Sequence, residues 1–381
     1  MADPITRIWM VARVAEPDEG GVQTYVREVA RAYAEQGRQV TLFVKSSAGP
    51  RRISGGRVQM IDVGPGSMLR VYARLFLAMC RAWREGDRPQ AIHACTWRAA
   101  LPALLFRRPL TVTVHGREVG RPRGMAMLLL RMVMRRAARI VAVSDATRTL
   151  LLSRLPHLAD RSIIAWNGVV MPMEAAPTPF QRGEGGAMLL SLCRLVPRKN
   201  IVNAVRALAL KPETLWRDWR YIIAGRGPDA SPIGDAVHHA GLEQRITLAG
   251  YVPTEEVAAL QARADIFLHP QIALEDGAEM EGFGLSIADA MAQGLACIVG
   301  RDGGPAELVQ DGVTGFVVDG RSVEDIHAAI ALLASDPALC RRLGQRARGF
   351  AAAHFSWDRH CRLAMGEGGP AREGAMLARA A

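Results

Sequence analysis

Aromatic residues are scarce in this chain, 6% of the total. No apolar run reaches the roughly 18 uninterrupted residues of a membrane-spanning helix. The N-terminal apolar stretch from Ile5 to Ala15 is short and interrupted by Arg7 and Arg13, so it does not read as a secretory leader. Six cysteines, Cys80, Cys95, Cys193, Cys297, Cys340 and Cys361, stand far apart without a C-x-x-C pair. That spacing argues against a zinc ribbon or a redox dithiol and suits buried free thiols in a reducing compartment. A D-x-D metal motif is missing, and the first loop, Glu16-Pro17-Asp18-Glu19-Gly20-Gly21, lacks the G-x-G-x-x-G turn of a nicotinamide-dependent oxidoreductase. The expectation is a cytoplasmic protein that meets a membrane, if at all, peripherally from the inner face.

Acidic residues are also in deficit, and the formal net charge is +11. Nucleic acid, an anionic membrane surface and phosphorylated substrates are all suitable partners for such a chain. Apolar residues make up 49% and charged residues 22%, the balance of a globular protein. Its 381 residues exceed one ordinary core and fit two domains.

The pattern along the chain is α/β. Ile8 to Ala12 reads as a buried strand, followed by a Gly20-Gly21 loop and a helix with Val22, Val26, Val29, Ala30 and Tyr33 on one face, stopped by Gly37. Further strands are predicted at Val40–Val44, Ala91–His93, Leu110–Val114, Ile140–Val143 and Ile163–Ala165. Residues 173–186, rich in proline and glycine, read as a linker. The alternation then restarts, with strands at Met188–Ser191, Tyr221–Ala224, Ile246–Ala249, Ile266–His269, Ala296–Val299 and Phe316–Val318. The reading is a first domain over 1–172, a second over 187–354, and a segment 355–381 whose amphipathic part crosses back to the first. Regular succession of strand and helix implies parallel sheets with right-handed crossovers.

The strongest constellation is Glu281-Gly282-Phe283-Gly284-Leu285-Ser286-Ile287-Ala288-Asp289. Two acids flank glycines that open a helix, and a helix start offers unsatisfied N–H groups to a phosphate. An eight-residue helical span covers about 12 Å, a scale on which two acids address groups on opposite sides of a diphosphate. Acids beside an apolar helix are ordinarily solvated residues or caps; the intervening glycines favour the functional reading. The segment resembles the E-x7-E motif of the retaining glycosyltransferases of family 4, members of the GT-B fold. The resemblance implies two Rossmann-like domains with parallel sheets facing across a cleft, and transfer from a nucleotide-diphosphate sugar. By position, Glu281 faces the donor sugar and Asp289 the ribose, Asp289 standing where the family usually has Glu. The Gly282, Phe283, Gly284 and Leu285 segment would contribute amides to the leaving group.

A second constellation, Arg194-Leu195-Val196-Pro197-Arg198-Lys199, follows the first strand of the second domain. A guanidinium fork and an ammonium there suit a diphosphate. It resembles the family's R-x4-K motif, implying Arg194 and Lys199 as the pair and leaving Arg198 as a solvated neighbour. Gly225 lies in a glycine turn and Tyr251-Val252 in a segment resembling the family's base-binding edge. Gly303-Gly304-Pro305 resembles its next glycine loop. In the first domain Gly20 and Gly21 resemble the cleft loop, and His115, ending a strand before Gly116, matches the donor-site histidine. Ser144 reads as a helix cap.

The resemblance implies retention of configuration, no cofactor and no required metal, with Arg194, Lys199 and helix amides stabilising the departing nucleotide. Glu281 and His115 are the catalytic candidates, Glu281 as an orienting group rather than a nucleophile. The acceptor is expected to be a saccharide or lipid-linked saccharide. Two basic amphipathic stretches, Met68–Arg84 and Arg121–Arg139, suit an anionic membrane surface, although solvated arginines on core helices would look the same. An epimerase or phosphorylase of the same architecture is the rival enzyme. A catalytically inert protein binding nucleic acid or a membrane is the rival of another class; the sparse aromatics and absent recognition motifs argue against nucleic acid.

Overall fold

A computed structural model describes residues 5–15, 20–173, 186–211 and 215–367. The linker read over 173–186, the first-loop residues 16–19 and the tail beyond Glu367 thus fall wholly or almost wholly outside the described residues. The chain forms two compact units, one reaching Asn167 and resuming at Ser356, the other running from Gly168 to Phe355.

The first unit carries strands β1 (Arg7–Val11), β2 (Gln39–Val44), β3 (Pro50–Gly55), β4 (Val58–Val63), β5 (Ala91–Ala94), β6 (Leu110–Val114), β7 (Arg139–Ala142) and β8 (Ser162–Ile164). Their order is β3-β4-β2-β1-β5-β6-β7-β8. All pairings are parallel except β3 with β4, which form an antiparallel hairpin. This hairpin departs from the all-parallel expectation. Every residue of β3 is exposed, so it carries no buried periodicity, and Pro50, Arg51 and Arg52 blunt an edge rather than fill a core. The central β1 is buried from Ile8 to Val11, as a strand covered on both faces must be.

Helices α1 (Gly21–Glu35), α2 (Met68–Arg84), α3 (Arg117–Gly120), α4 (Met125–Arg136) and α5 (Asp145–Arg154) connect these strands. α1 buries Tyr25, Val26, Val29, Ala30 and Tyr33, and Gly37 follows its end with φ +85°, the left-handed conformation that releases the chain into β2. Ser144 caps α5, its hydroxyl accepting the Thr147 N–H at 3.0 Å.

The second unit contains β9 (Gly186–Leu192), β10 (Asp218–Ala224), β11 (Ile246–Gly250), β12 (Ile266–His269), β13 (Ala296–Gly300) and β14 (Gly315–Val318). Their order, β11-β10-β9-β12-β13-β14, is wholly parallel. Around it run α6 (Ile201–Leu210), α7 (Ala230–His239), α8 (Thr254–Arg263), α9 (Leu285–Gln293), α10 (Pro305–Leu308), α11 (Val323–Ser335) and α12 (Pro337–His354). The chain leaves β9 towards one edge of the sheet and resumes at β12 on its other side. This reversal is the topological switch point, where an open parallel sheet presents a crevice beyond its carboxyl ends.

The last helix, α13 (Trp357–Met365), belongs to the first unit. His360 lies within reach of the Ala165 and Trp166 carbonyls from Nδ1, at 3.1 and 3.2 Å. Carbonyls only accept, so Nδ1 carries the proton and Nε2 accepts from the Tyr25 hydroxyl at 2.8 Å. Tyr25 in turn meets Thr113 at 2.8 Å, Thr113 meets His93 Nε2 at 2.8 Å, and His93 Nδ1 meets Tyr33 at 2.9 Å. One direction of donation, from Tyr33 through His93, Thr113 and Tyr25 to His360, is consistent with each of these contacts. Burial holds His93 at about 3 and His360 at about 4, both neutral at physiological pH.

Candidate functional site: a carboxylate between two buried cations

The carboxyl end of β9 continues as Cys193–Asn200 and is braced by the turn after β10. Cys193 N–H donates to the Ala224 carbonyl at 3.1 Å and Leu195 N–H to that of Arg226 at 2.9 Å. Gly225 and Gly227 stand so close that a Cβ would lie 1.8 Å from Cys193 O and 1.9 Å from Leu195 O, with φ of +142° and +159°. No side chain fits at either position. Gly225 therefore shapes the basic loop directly. Arg226 stacks over the Tyr251 ring at 4.9 Å, and Val252 follows half-buried.

Pro197–Lys199 forms one tight turn, ended by Asn200 at φ +58°. Asn200 tolerates this conformation and anchors it, its side-chain amide donating to the Pro270 carbonyl at 3.0 Å. The turn carries Lys199 inward, where its Nζ reaches Glu281 Oε2 at 2.8 Å. Arg198 also turns inward, its Nη2 meeting the same oxygen at 3.1 Å. Arg198 is only 8% exposed, which overturns its reading as a solvated neighbour. Its periodicity could not reveal this, because a tight turn rather than a helix or strand sets its direction. Its Nε and Nη1 are buried without hydrogen-bond partners among the described residues. Arg194 is exposed and makes no ion pair among the described residues.

Burial disfavours ionised Glu281, but Lys199 and then Arg198 outweigh it and hold the carboxyl at about 2. The backbone of Glu281 is seated by the loop after β13. Gly304 N–H donates to Glu281 O at 3.0 Å, and a Cβ on Gly303 would fall 2.6 Å from that oxygen. Only the second half of the Glu281–Asp289 interval is helical, so the two acids do not lie on one continuous helix. Gly284, at φ +92°, ends the approach and α9 begins at Leu285. No side chain caps that start, and the Leu285 and Ser286 amides precede the first intrahelical bond, from Ile287 N–H to Gly284 O. Phe283 is buried against Phe355, ring centroids 5.9 Å apart, fixing Gly282–Gly284 from below. Asp289 sits half-buried within α9.

Sequence reasoning missed His269 and Gln271. His269 Nε2 lies 3.1 Å from Lys199 Nζ, and its Nδ1 lies 2.9 Å from Gln271 Oε1. The available signal was a histidine ending a buried strand beside the switch point, read only as strand. The nucleus of the site is therefore Lys199, Arg198, Glu281 and His269, with Gly303 and Gly304 supporting it.

In the first unit, Gly20 and Gly21 open α1, Gly20 at φ +140°. His115 directly follows β6, before Gly116 at φ +104°. Its Nε2 donates to Cys95 O at 2.8 Å, and its ring meets Tyr25 edge-on at 4.7 Å. The His115 N–H donates to the Glu118 carboxylate. A cavity of about 660 Å³ between α1 and the β3–β4 hairpin contains none of the expected site residues. Its arginines are already engaged: Arg27 with Glu28, Arg31 with Glu35, Arg51 with Asp62 and Arg57 with the Gly37 carbonyl.

Two family models match, Glycosyltransferase Family 4 over residues 19–171 and Glycosyl transferases group 1 over 174–350. A GDP-mannose-dependent alpha-(1-6)-phosphatidylinositol monomannoside mannosyltransferase of Mycobacterium tuberculosis is 28% identical, covering 93% of this chain and 96% of its own. A glycogen synthase of the same species is 29% identical over 77% of this chain and 70% of its own. Among solved structures, sucrose-phosphate synthase from Thermosynechococcus elongatus superposes with a TM-score of 0.78 at 20% identity, covering 99% of this chain and all of that one. HepE of Anabaena with UDP and glucose gives 0.72 at 20% identity, over 95% of this chain and 98% of that one. Two parallel α/β units, a cation-bound carboxylate at the second unit's switch point and family matches spanning both halves agree: the chain belongs to the group 1 glycosyltransferases of the GT-B fold.

Proposed function

We propose that the protein transfers a sugar, with retention of configuration, from a nucleoside diphosphate sugar to a lipid-linked acceptor in cell-surface glycolipid or polysaccharide synthesis. The observation that carries the donor part is Glu281 held ionised between Lys199 and Arg198 at the end of β9. As the anomeric carbon–oxygen bond breaks, negative charge grows on the diphosphate, and Lys199, Arg194 and the Leu285 and Ser286 amides oppose it. These charges neutralise the leaving group without requiring a metal. Glu281, fully ionised at neutral pH, accepts hydrogen bonds from donor-sugar hydroxyls and orients the ring. Asp289 receives the ribose hydroxyls, and the Gly225 turn and the Tyr251-Val252 edge bound the nucleotide. The M. tuberculosis relative makes GDP-mannose the first donor to test.

The surface of the first unit supports a membrane-proximal acceptor. Leu69 is 81% exposed and Leu77 63% on α2, with exposed Arg70 and Arg84 along the same helix, whereas Arg81 pairs with Glu85 at 2.7 Å and Arg74 donates to the Pro65 carbonyl at 3.1 Å. On α4, Met125 and Leu128 are exposed beside exposed Arg131 and Arg135. Apolar side chains interleaved with arginines suit insertion among anionic headgroups. Arg136 is otherwise occupied, donating to the Phe106 and Arg108 carbonyls at 2.9 and 2.8 Å. Among the described residues no helix is long and apolar enough to cross a membrane.

Nucleotide release from GDP-mannose, UDP-glucose and ADP-glucose, with and without vesicles carrying phosphatidylinositol monomannoside, tests the proposal. Release from one donor, stimulated by the glycolipid and lost in Glu281→Ala and Lys199→Ala, is expected. Folded protein that binds none of the three donors would remove it.

A further inference from the structure

Lys199 has three N–H donors and a flexible four-carbon stem, so a fixed aim on a diphosphate must come from its surroundings. Glu281 Oε2 takes one N–H at 2.8 Å and His269 Nε2 takes another at 3.1 Å. An ammonium has no lone pair, so the second contact exists only if His269 Nε2 is unprotonated.

The structure supplies the reason for that tautomer. Gln271, 1% exposed, directs its amide nitrogen at the Gly300 carbonyl and, at 3.1 Å, at that of Asp302. Two carbonyls fix which end of the amide is nitrogen. Its oxygen is thereby turned to the Gly300 N–H at 3.2 Å and to His269 Nδ1 at 2.9 Å. An amide oxygen only accepts, so Nδ1 must hold the proton. Gly300 can serve both sides of Gln271 because it lacks a side chain: a Cβ there would lie 1.9 Å from Gln271 O.

We infer that His269 is a positioning residue for sugar-nucleotide binding, held by Gln271 in its Nδ1–H tautomer so that Nε2 aims Lys199 at the donor diphosphate. This inference rests on the donor-site reading above and adds residues to it. Glu281 and His269 fix two corners of the ammonium, leaving the third N–H directed and without a protein partner among the described residues. Burial and the neighbouring Lys199 charge both keep His269 neutral, at about 4, so the arrangement persists across the physiological range.

Two substitutions separate aiming from packing. The side-chain oxygen of His269→Gln reaches the Nε2 position and can still accept from Lys199. The amide of His269→Asn reaches only the Nδ1 position, keeping the bond to Gln271 while losing the one to Lys199. GDP, UDP and ADP are titrated calorimetrically into wild type and both variants, with thermal unfolding of the nucleotide-free proteins alongside. The expected result is at least a tenfold weaker Kd for His269→Asn and no more than a threefold change for His269→Gln, with similar melting temperatures. In donor hydrolysis, His269→Asn should likewise lose kcat/KM while His269→Gln retains it. Wild-type binding matched by both variants, or losses that follow the fall in melting temperature, would overturn the inference and leave the donor site standing. A folded wild type that binds none of the three nucleotides would overturn both.

Discussion

Replacing Glu281 with Gln keeps the side-chain shape and removes one charge from between two buried cations. In the native protein the carboxyl is held at about 2 rather than 4.5. At roughly 1.4 kcal/mol per pH unit, that gap corresponds to about 3 kcal/mol favouring the ionised form over its unfolded environment. The variant forfeits this and also leaves Lys199 and Arg198 facing each other without a counter-ion. Breaking a buried pair from one side typically costs about 3–5 kcal/mol. For a cooperative unit of this size each kcal/mol lowers the melting temperature by roughly 2–4 °C, so a fall of about 6–20 °C is expected at pH 7. The stabilisation is complete above pH 4.5 and disappears as pH falls towards about 2, because the folded pKa is the lower of the two. Urea unfolding at pH 7 and pH 4 should therefore show the gap between wild type and variant narrowing by about 1 kcal/mol at the lower pH. A diphosphate that seats on the same cations should restore more stability to the variant than to wild type. A melting temperature within 2 °C of wild type at pH 7 would refute the claim that Glu281 neutralises these cations.

Arg198→Met should cost about 1–3 kcal/mol in urea unfolding, since Lys199 still answers the carboxylate; a solvated arginine would change stability by less than about 0.5 kcal/mol. Gly225→Ala should cost several kcal/mol and abolish nucleotide binding measured calorimetrically, because its Cβ meets the Cys193 carbonyl oxygen at 1.8 Å. His93 and His360, at about 3 and about 4 against 6.5 unfolded, take up protons on unfolding. They should make stability fall as pH drops from 6.5 towards 4, and His360→Gln should flatten that slope in urea titrations. Leu69→Ser with Leu128→Ser should weaken sedimentation with phosphatidylglycerol vesicles severalfold while leaving GDP affinity unchanged; unaltered sedimentation would remove these helices from the membrane reading.

The two-unit α/β plan was legible because buried strands such as Leu110–Val114 and Ile266–His269 are continuous apolar or β-branched runs closed by turn residues, and both are observed at those boundaries. The β3–β4 hairpin was not legible, since an exposed edge strand has no buried face to impose a period. In the site, Glu281 and Lys199 were found through spacing and motif, and the structure brings them into contact. Arg198 and His269 escaped for a common reason: each owes its direction to a partner distant in sequence, Glu281 for one and Gln271 with Lys199 for the other. Gly225 and Gly303 were read as members of glycine turns, and the space a Cβ would need at either is already filled by a backbone oxygen of its own unit. Composition marks a glycine's freedom but not the atom that requires it.

The bond between Tyr25 and His360 has a consequence for biosynthesis. A ribosome releases Tyr25 early and His360 only after the entire second unit has been made, yet both belong to one core. Leu363 and Ala364 complete the same first-unit packing against Val141 and Ala165. The nascent first unit must therefore wait, with the Tyr25 hydroxyl and the apolar seat of α13 uncovered, while the second unit folds ahead of it. The order of completion along this chain is the reverse of the order of translation, and holding the unfinished half out of aggregation falls to the cell rather than to the sequence.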